Sequence, residues 1–258
     1  RDCGGLEETL GRRLEMPHGV RDRYRELRRI GRSQGTLYIA DVGDIIEGIC
    51  GHYPGQTFSV ELNRRDQVKL ARRLLVECIK LWAPDFEKVV CLSVPSNHGE
   101  LRGPAGKKLT DDADDDGLAI MEQVHDIVRE NPALAHVNFV IPHDEMVVVL
   151  DVHGTTIAWC HAHKAERSAA QGGIPQGKVR SWWRDQGFGE LPAGDARVLI
   201  TGHYHAFSVI DFGPKIHVQC PTADPGSKWF SDSAGANSAP GTLTLVAAGG
   251  RITDLQVV

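Results

Sequence analysis

Long apolar runs are missing from this 258-residue chain. A spanning helix needs roughly 18 consecutive apolar residues, and stretches such as Met146–Leu150 meet a charge within a few positions, so no membrane segment is expected. Arg1–Arg13 has no apolar core of the signal-peptide kind. No Cys-x-x-Cys pair occurs among Cys3, Cys50, Cys78, Cys91, Cys160 and Cys220. That argues against a secreted disulfide framework, and points to reduced, buried thiols in a cytoplasmic protein. Internal repeats are absent, which excludes a solenoid. A surplus of positive charge is absent too: 29 basic residues face 34 acidic ones, a net charge of −5, so the molecule as a whole does not attract nucleic acid. Residues 1–34 are a local exception, with Arg in excess over Asp and Glu, and they read as a solvated helix face laced with ion pairs.

What is present is ordinary globular material, 41% hydrophobic and 24% charged, with 28 Gly and 13 Pro marking a loop-rich fold. The length suits one large domain or two small ones. Short β-branched runs predict strands at Thr36–Val42, Lys88–Val94, Val137–Ile141, Met146–Val152, Thr155–Cys160, Arg197–Thr201, Phe207–Phe212, Lys215–Cys220, Thr242–Ala247 and Arg251–Val258. Helical periodicity covers Val20–Arg32, Arg64–Trp82 and Leu118–Glu130, the second with Asn63 as N-cap and Pro84 beyond its end. Turns at His153-Gly154 and Gly213-Pro214 predict two hairpins. Helices alternate with strands in the first half and strands dominate the second, which favours an α/β sandwich of mixed sheets with helices outside. Gly99–Gly117 and Lys164–Leu191 read as long loops, the second carrying Gly172-Gly173 and Trp182-Trp183.

Four motifs sit at or just after predicted strand ends. They are Asp41-Val42-Gly43-Asp44, Pro95-Ser96-Asn97-His98-Gly99-Glu100, Trp159-Cys160-His161-Ala162-His163 and Thr201-Gly202-His203-Tyr204-His205. In α/β sheets ligands gather beyond the carboxyl ends of strands. Carboxylate, amide oxygen and imidazole together suit Mn, Fe or Zn. Two such ions roughly 3.5–4 Å apart can clamp the attacking and leaving oxygens of an in-line phosphoryl displacement, and an unligated His can protonate the leaving oxygen.

The ordered set resembles the calcineurin-like metallophosphoesterase superfamily, whose blocks are Asp-x-His/Gln, Gly-Asp, Gly-Asn-His-Asp/Glu, a lone His, and Gly-His-x-His. Gly43-Asp44, Asn97-His98, His161 and Gly202-His203-Tyr204-His205 match four of the five in order. The wording around Gly43–Gly48 and Phe58–Val68 is similar to the exonuclease-like branch of phages and prophages. The resemblance implies a four-layer α/β-β/α sandwich over residues 1–258, with Asp44 bridging two divalent ions, Asn97, His161 and His203 completing one site, and His205 serving the other. His98 would be the general acid. Mn is the first expectation for both ions, with Fe, Zn, Ni and Co as alternatives. Two departures stand out: Ser96 replaces the usual Gly, and the opening Asp-x-His/Gln block is missing, so the first strand and first metal motif are expected upstream of Arg1 and the first ion site could be empty without them.

Other residues keep two readings. His163 is either near the substrate or structural, and Asp41 is expected to bond nearby backbone. Glu100 orients His98 or caps a turn. The acidic run Asp111–Asp116 lacks EF-hand spacing and reads as a loop or helix start. Trp182-Trp183 beside Lys178, Arg180 and Arg184 is either a stacking surface for single strands or an anchor to the core. Arg64-Arg65 either touches phosphate or starts a helix, and His18, His52, His125, His136, His143, His153 and His217 read as surface or locally bonded. Asp254-Leu255-Gln256 reads as strand tail. The expected function is phosphodiester hydrolysis, first of all in DNA. A phosphatase or small-nucleotide phosphodiesterase is the enzymatic alternative, and an inactive scaffold of the same fold that binds a protein partner is the alternative from another class.

Overall fold

The computed structural model describes residues 5–32, 35–49, 51–52, 55–103, 106–166, 176–224 and 239–258. Cys3, Cys50 and Gly172-Gly173 lie outside them. The chain divides into two compact units, Gln34–Val148 and Arg1–Ser33 with Val149–Val258. The first helix, α1 (Leu6–Arg29), belongs to the latter and starts 14 residues before its predicted beginning at Val20. Pro17 and Gly19 hid that half. Glu7 and Glu8 in the first turn and Arg28 and Arg29 in the last complement the helix dipole, and the Glu8 carboxylate accepts from Gly5 N at 2.8 Å. The arginine surplus works within its own unit: Arg12 Nε donates to the Ala223 carbonyl (2.8 Å), Arg23 pairs with Glu26 (2.6 Å) and Arg32 with Asp254 (2.8 Å).

In the unit Gln34–Val148 the chain runs β1 (Thr36–Asp41), the short helix α2 (Gln56–Ser59), α3 (Arg64–Trp82), β2 (Lys88–Ser93), α4 (Asp116–Arg129) and β3 (Val137–Val140). The strands form one parallel sheet in the order β1-β2-β3. Helix α3 keeps its predicted bounds because Asn63 caps it, its side chain accepting from Asp66 N at 3.0 Å. Ala71, Val76 and Ile79 of α3 and Ile120, Met121, Val124 and Val128 of α4 pack with Val89 and Cys91 of β2 into one core. Each fully buried aliphatic side chain contributes about 1.5–3 kcal/mol. Arg64 is helix surface, its Nε donating to Asp116 at 2.7 Å and so joining the starts of α3 and α4.

The chain leaves this unit within β4 (Val147–Val152). It continues through β5 (Thr155–Cys160), α5 (Gln176–Phe188), β6 (Val198–Thr201), β7 (Ser208–Asp211), β8 (Ile216–Gln219), β9 (Leu243–Ala248) and β10 (Arg251–Val257). A five-stranded sheet in the order β4-β5-β6-β8-β7 mixes parallel β5-β6-β8 with the antiparallel β7-β8 hairpin. Strands β9 and β10 pair antiparallel with each other. Their two-residue turn is Gly249-Gly250, both at positive φ (57° and 75°), a conformation that glycine adopts without a Cβ penalty. The fold is therefore α/β, with mixed sheets and helices. Asp254 is strand tail in β10, its side chain paired with Arg32.

The expected loop Lys164–Leu191 is corrected in its second part, since α5 occupies Gln176–Phe188. Its periodic apolar signal is only Val179 and Trp183, one turn apart and both buried. Trp183 is an anchor: its Nε1–H donates to the Ala193 carbonyl (2.7 Å) and Lys215 Nζ lies 4.8 Å from the centroid of its ring. Cys91 and Cys160 are buried free thiols, as expected, whereas Cys78 and Cys220 are only half-buried. Among the described residues no helix is long and apolar enough to cross a membrane.

His217 on β8 is 1% exposed and shares a 2.9 Å hydrogen bond with the Thr201 hydroxyl. Burial lowers its pKa to about 4. The folded value lies below the unfolded one, so the neutral ring's contribution is present above pH 6.5 and is lost as pH falls toward 4. At pH 5 the loss is about 2 kcal/mol. Urea unfolding at pH 7 and pH 5 is expected to show this loss in the wild type, and to show that much less of it in His217→Gln; equal losses in the two proteins would refute it.

Candidate metal centre

Two pairs of parallel strands carry the four motifs, and each pair is in register at its carboxyl end. In the unit Gln34–Val148, Asp41 of β1 is level with Ser93 of β2. The chain leaving β1 reaches Gly43-Asp44 within three residues, and the chain leaving β2 reaches Asn97-His98 within five. Both loops thus start from one sheet edge. The His98 backbone N–H donates to Asp44 Oδ1 at 3.2 Å, so the structure brings Asp44 and the Asn97-His98 turn together. Asp41 stays out of the ligand set. Its carboxylate accepts from Gly43 N (3.0 Å) and from the Ser93 hydroxyl (2.8 Å), which is the local bonding expected of it.

The Asn97-His98 turn has its own supports. Ser96, where the resembled family has Gly, is 2% exposed, and its hydroxyl accepts from Gly99 N at 3.2 Å. Asp115, read from sequence as part of a loop or helix start, is 3% exposed. Its Oδ1 caps α4 through Gly117 N (2.8 Å) and Leu118 N (3.1 Å), and its Oδ2 accepts from Ser96 N (2.9 Å). Desolvation pushes this carboxyl up to about 6, against the pull of those three N–H groups. Glu100 pairs with Arg102 (2.7 Å) and Lys108 (3.3 Å), stitching its own loop together.

His98 is oriented by a residue to which sequence reasoning gave no role. Its Nδ1–H donates to the Glu47 carbonyl at 2.7 Å, and the Glu47 carboxylate stands 3.7 Å from the same nitrogen. The Glu47 carbonyl also accepts from Gln56 Nε2 (2.9 Å). Next to it, Gly48 exchanges two bonds with the buried Gln67 side chain, Gly48 N to Oε1 (3.0 Å) and Nε2 to Gly48 O (2.9 Å). A signal for Gln67 existed: it lies one turn before Ala71 on the buried stripe of α3, where a polar side chain needs partners.

In the other unit, Cys160 of β5 is level with Thr201 of β6, so His161 and Gly202-His203 leave neighbouring strands side by side. His161 is completely buried. Its Nε2 lies 3.1 Å from His203 Nδ1, and the two rings meet edge to face at 75° with centroids 4.9 Å apart. His163, ambiguous from sequence, joins them, its ring 5.3 Å from that of His161 and 6.2 Å from that of His203. His205 follows two residues after His203.

Backbone strain gathers on these motifs. Asp44, Ala162, His203 and His205 all take positive φ (55°, 75°, 45° and 53°), conformations that cost non-glycine residues roughly 1–3 kcal/mol and that cluster at functional sites. The donor chemistry fits a divalent ion: two converging imidazole nitrogens in one unit, and in the other a carboxylate that accepts from the Asn97-His98 turn.

No family model matches the chain, and no curated protein does. Among solved structures it is similar to Vps29 of Entamoeba histolytica complexed with Zn²⁺ (16% identity over 84% of this chain and 88% of that one, TM-score 0.37). It is similar to a predicted phosphoesterase of Streptococcus pneumoniae (10% identity over 81% and 79%, TM-score 0.34). It is also similar to a hypothetical protein of Pyrococcus horikoshii (12% identity over 96% and 82%, TM-score 0.45).

Proposed function

We propose that this chain is a metal-dependent phosphoesterase that hydrolyses phosphodiesters, with DNA as the first substrate to test. The observation that carries the reading is the convergence of His161 and His203, ring nitrogens 3.1 Å apart at the ends of two in-register parallel strands. The residues proposed to hold ions are Asp44 and Asn97 in the unit Gln34–Val148, and His161, His203 and His205 in the other unit, with Mn²⁺ the first metal to test. When bound, such ions supply positive charge against the phosphoryl oxygens and an acidified water.

The chain's own part in the chemistry centres on His98. A carbonyl oxygen only accepts, so the 2.7 Å contact with Glu47 O puts a hydrogen on Nδ1. Nε2 is then the nitrogen that passes a proton. As a water oxygen attacks phosphorus and the bond to the leaving oxygen breaks, the Nε2 proton moves to that oxygen, and His98 is reprotonated from solvent. With a net charge of −5, contact with DNA rests on local positive potential and weakens with salt.

The test is incubation of the full chain and Mn²⁺ with labelled DNA, a chromogenic diester and a monoester. Cleavage of DNA and diester ahead of the monoester is expected. Turnover of the small esters with DNA untouched would end the nuclease reading. No turnover with Mn²⁺, Fe²⁺, Zn²⁺, Ni²⁺ or Co²⁺ would end the phosphoesterase reading.

A further inference from the structure

The proposed chemistry leaves unused one ring that touches its acid. His52 lies flat against His98, ring centroids 4.1 Å apart and planes within 2° of each other. Its own place is fixed from two sides. The His52 backbone N–H donates to Gln56 Oε1 (3.4 Å), the same side chain that holds the Glu47 carbonyl. Gly48 lies against the imidazole edge, where an added Cβ would meet His52 Nε2 at 3.7 Å. His52 is thus built into the loop that orients His98, although the sequence reads it as surface or locally bonded.

A single hydrogen bond at Nδ1 fixes one atom of the His98 ring and leaves rotation about the N–H···O axis open. A flat ring pressed on one face closes that freedom. We infer that His52 is the positioning residue that holds the His98 imidazole in the plane from which Nε2 delivers its proton. The inference rests on the reading of His98 as the acid. Burial, and next the neighbouring His98, lower His52 to about 4, so its own ring is uncharged at neutral pH. Small displacements of a positioned group are costly in rate.

The experiment separates positioning from mere packing by the leaving group. Wild type, His98→Ala, His52→Ala and His52→Phe are assayed on two diesters, one releasing p-nitrophenolate, which departs without a proton, and one releasing a nucleoside alkoxide, which needs one. His52→Ala is expected to lower kcat on the alkoxide ester roughly ten-fold, a fraction of what a positioned acid contributes, with KM and the p-nitrophenyl rate little changed. His52→Phe keeps a flat ring and is expected to recover most of the loss. A second readout needs no turnover: ¹⁵N spectra of labelled histidine are expected to show the His98 Nδ1–H hydrogen-bonded to the Glu47 carbonyl in wild type and His52→Phe, and that bond weakened in His52→Ala. Equal losses on both esters, no recovery with Phe, or an unchanged Nδ1–H signal in His52→Ala would each overturn the inference. If His98→Ala itself spares the alkoxide ester, the acid reading has failed, and the spectra alone then decide whether His52 positions the ring.

Discussion

Alanine at position 98 is expected to lower turnover by roughly 10²–10⁴ while leaving bound metal unchanged, whereas Asp44→Asn is expected to remove metal and activity together. The contrast follows from what each side chain touches. His98 reaches the Glu47 carbonyl through Nδ1 and the His52 ring through its face; neither contact is to a proposed ligand. Asp44 is the proposed ligand, and its Oδ1 also accepts the His98 backbone N–H at 3.2 Å. An Asn oxygen can accept that same N–H, so the turn persists while the negative charge is lost. Elemental analysis after equilibration with Mn²⁺, beside kcat on the alkoxide diester, makes the comparison. Equal metal loss in the two variants would overturn the division of roles.

The ligand candidates were legible because each lies a few residues beyond a strand that β-branched residues mark plainly. Once β1 and β2, and β5 and β6, are parallel and in register, the motifs of each pair emerge together. Helix α3 was legible for a local reason, a capped start and a proline beyond its end. The supports were not, because they are made by groups without a sequence signature. The bond from His98 to Glu47 uses a backbone carbonyl 51 residues away. Gln56 and Gln67 are glutamines whose burial follows from the tertiary fold. His52 differs from a surface histidine only by what lies on its face. Helices α1 and α5 were missed or shortened because Pro17 and Gly19 interrupt the first, while the second buries just Val179 and Trp183 among its described side chains.

The same locality explains why the strain at Asp44, His203 and His205 is tolerated. Each follows closely on a strand whose end is fixed by a sheet partner: Asp41 bonds to Ser93 across β1 and β2, and Cys220 N donates to the Thr201 carbonyl (2.8 Å) beyond β8. A left-handed residue placed so soon after a fixed end turns its side chain sharply to the sheet edge. The backbone cost of about 1–3 kcal/mol per residue is borne by the packed strands behind it.

Behind the Asn97-His98 turn, Gly99 is the position where a single added methyl has the largest structural consequence. A Cβ there would lie 2.1 Å from Asp115 Oδ2 and 2.5 Å from its Cγ. Asp115 cannot swing away cheaply, since its two oxygens hold Ser96 N, Gly117 N and Leu118 N in a buried setting. Moving it leaves buried N–H groups unpaired and uncaps α4. Gly99→Ala is therefore expected to destabilise the protein by about 2–4 kcal/mol, a fall in Tm of about 5–15 °C. It should also slow turnover, because Ser96 and Gly99 bracket the two proposed site residues. Asp115→Ser supplies the control. Serine is a good N-cap and its shorter side chain leaves room for the methyl, so the cost of Gly99→Ala is expected to shrink by more than half in that background. Urea unfolding of the four proteins gives the coupling directly. Strictly additive losses would mean that the clash with Asp115 is not what makes glycine necessary at position 99.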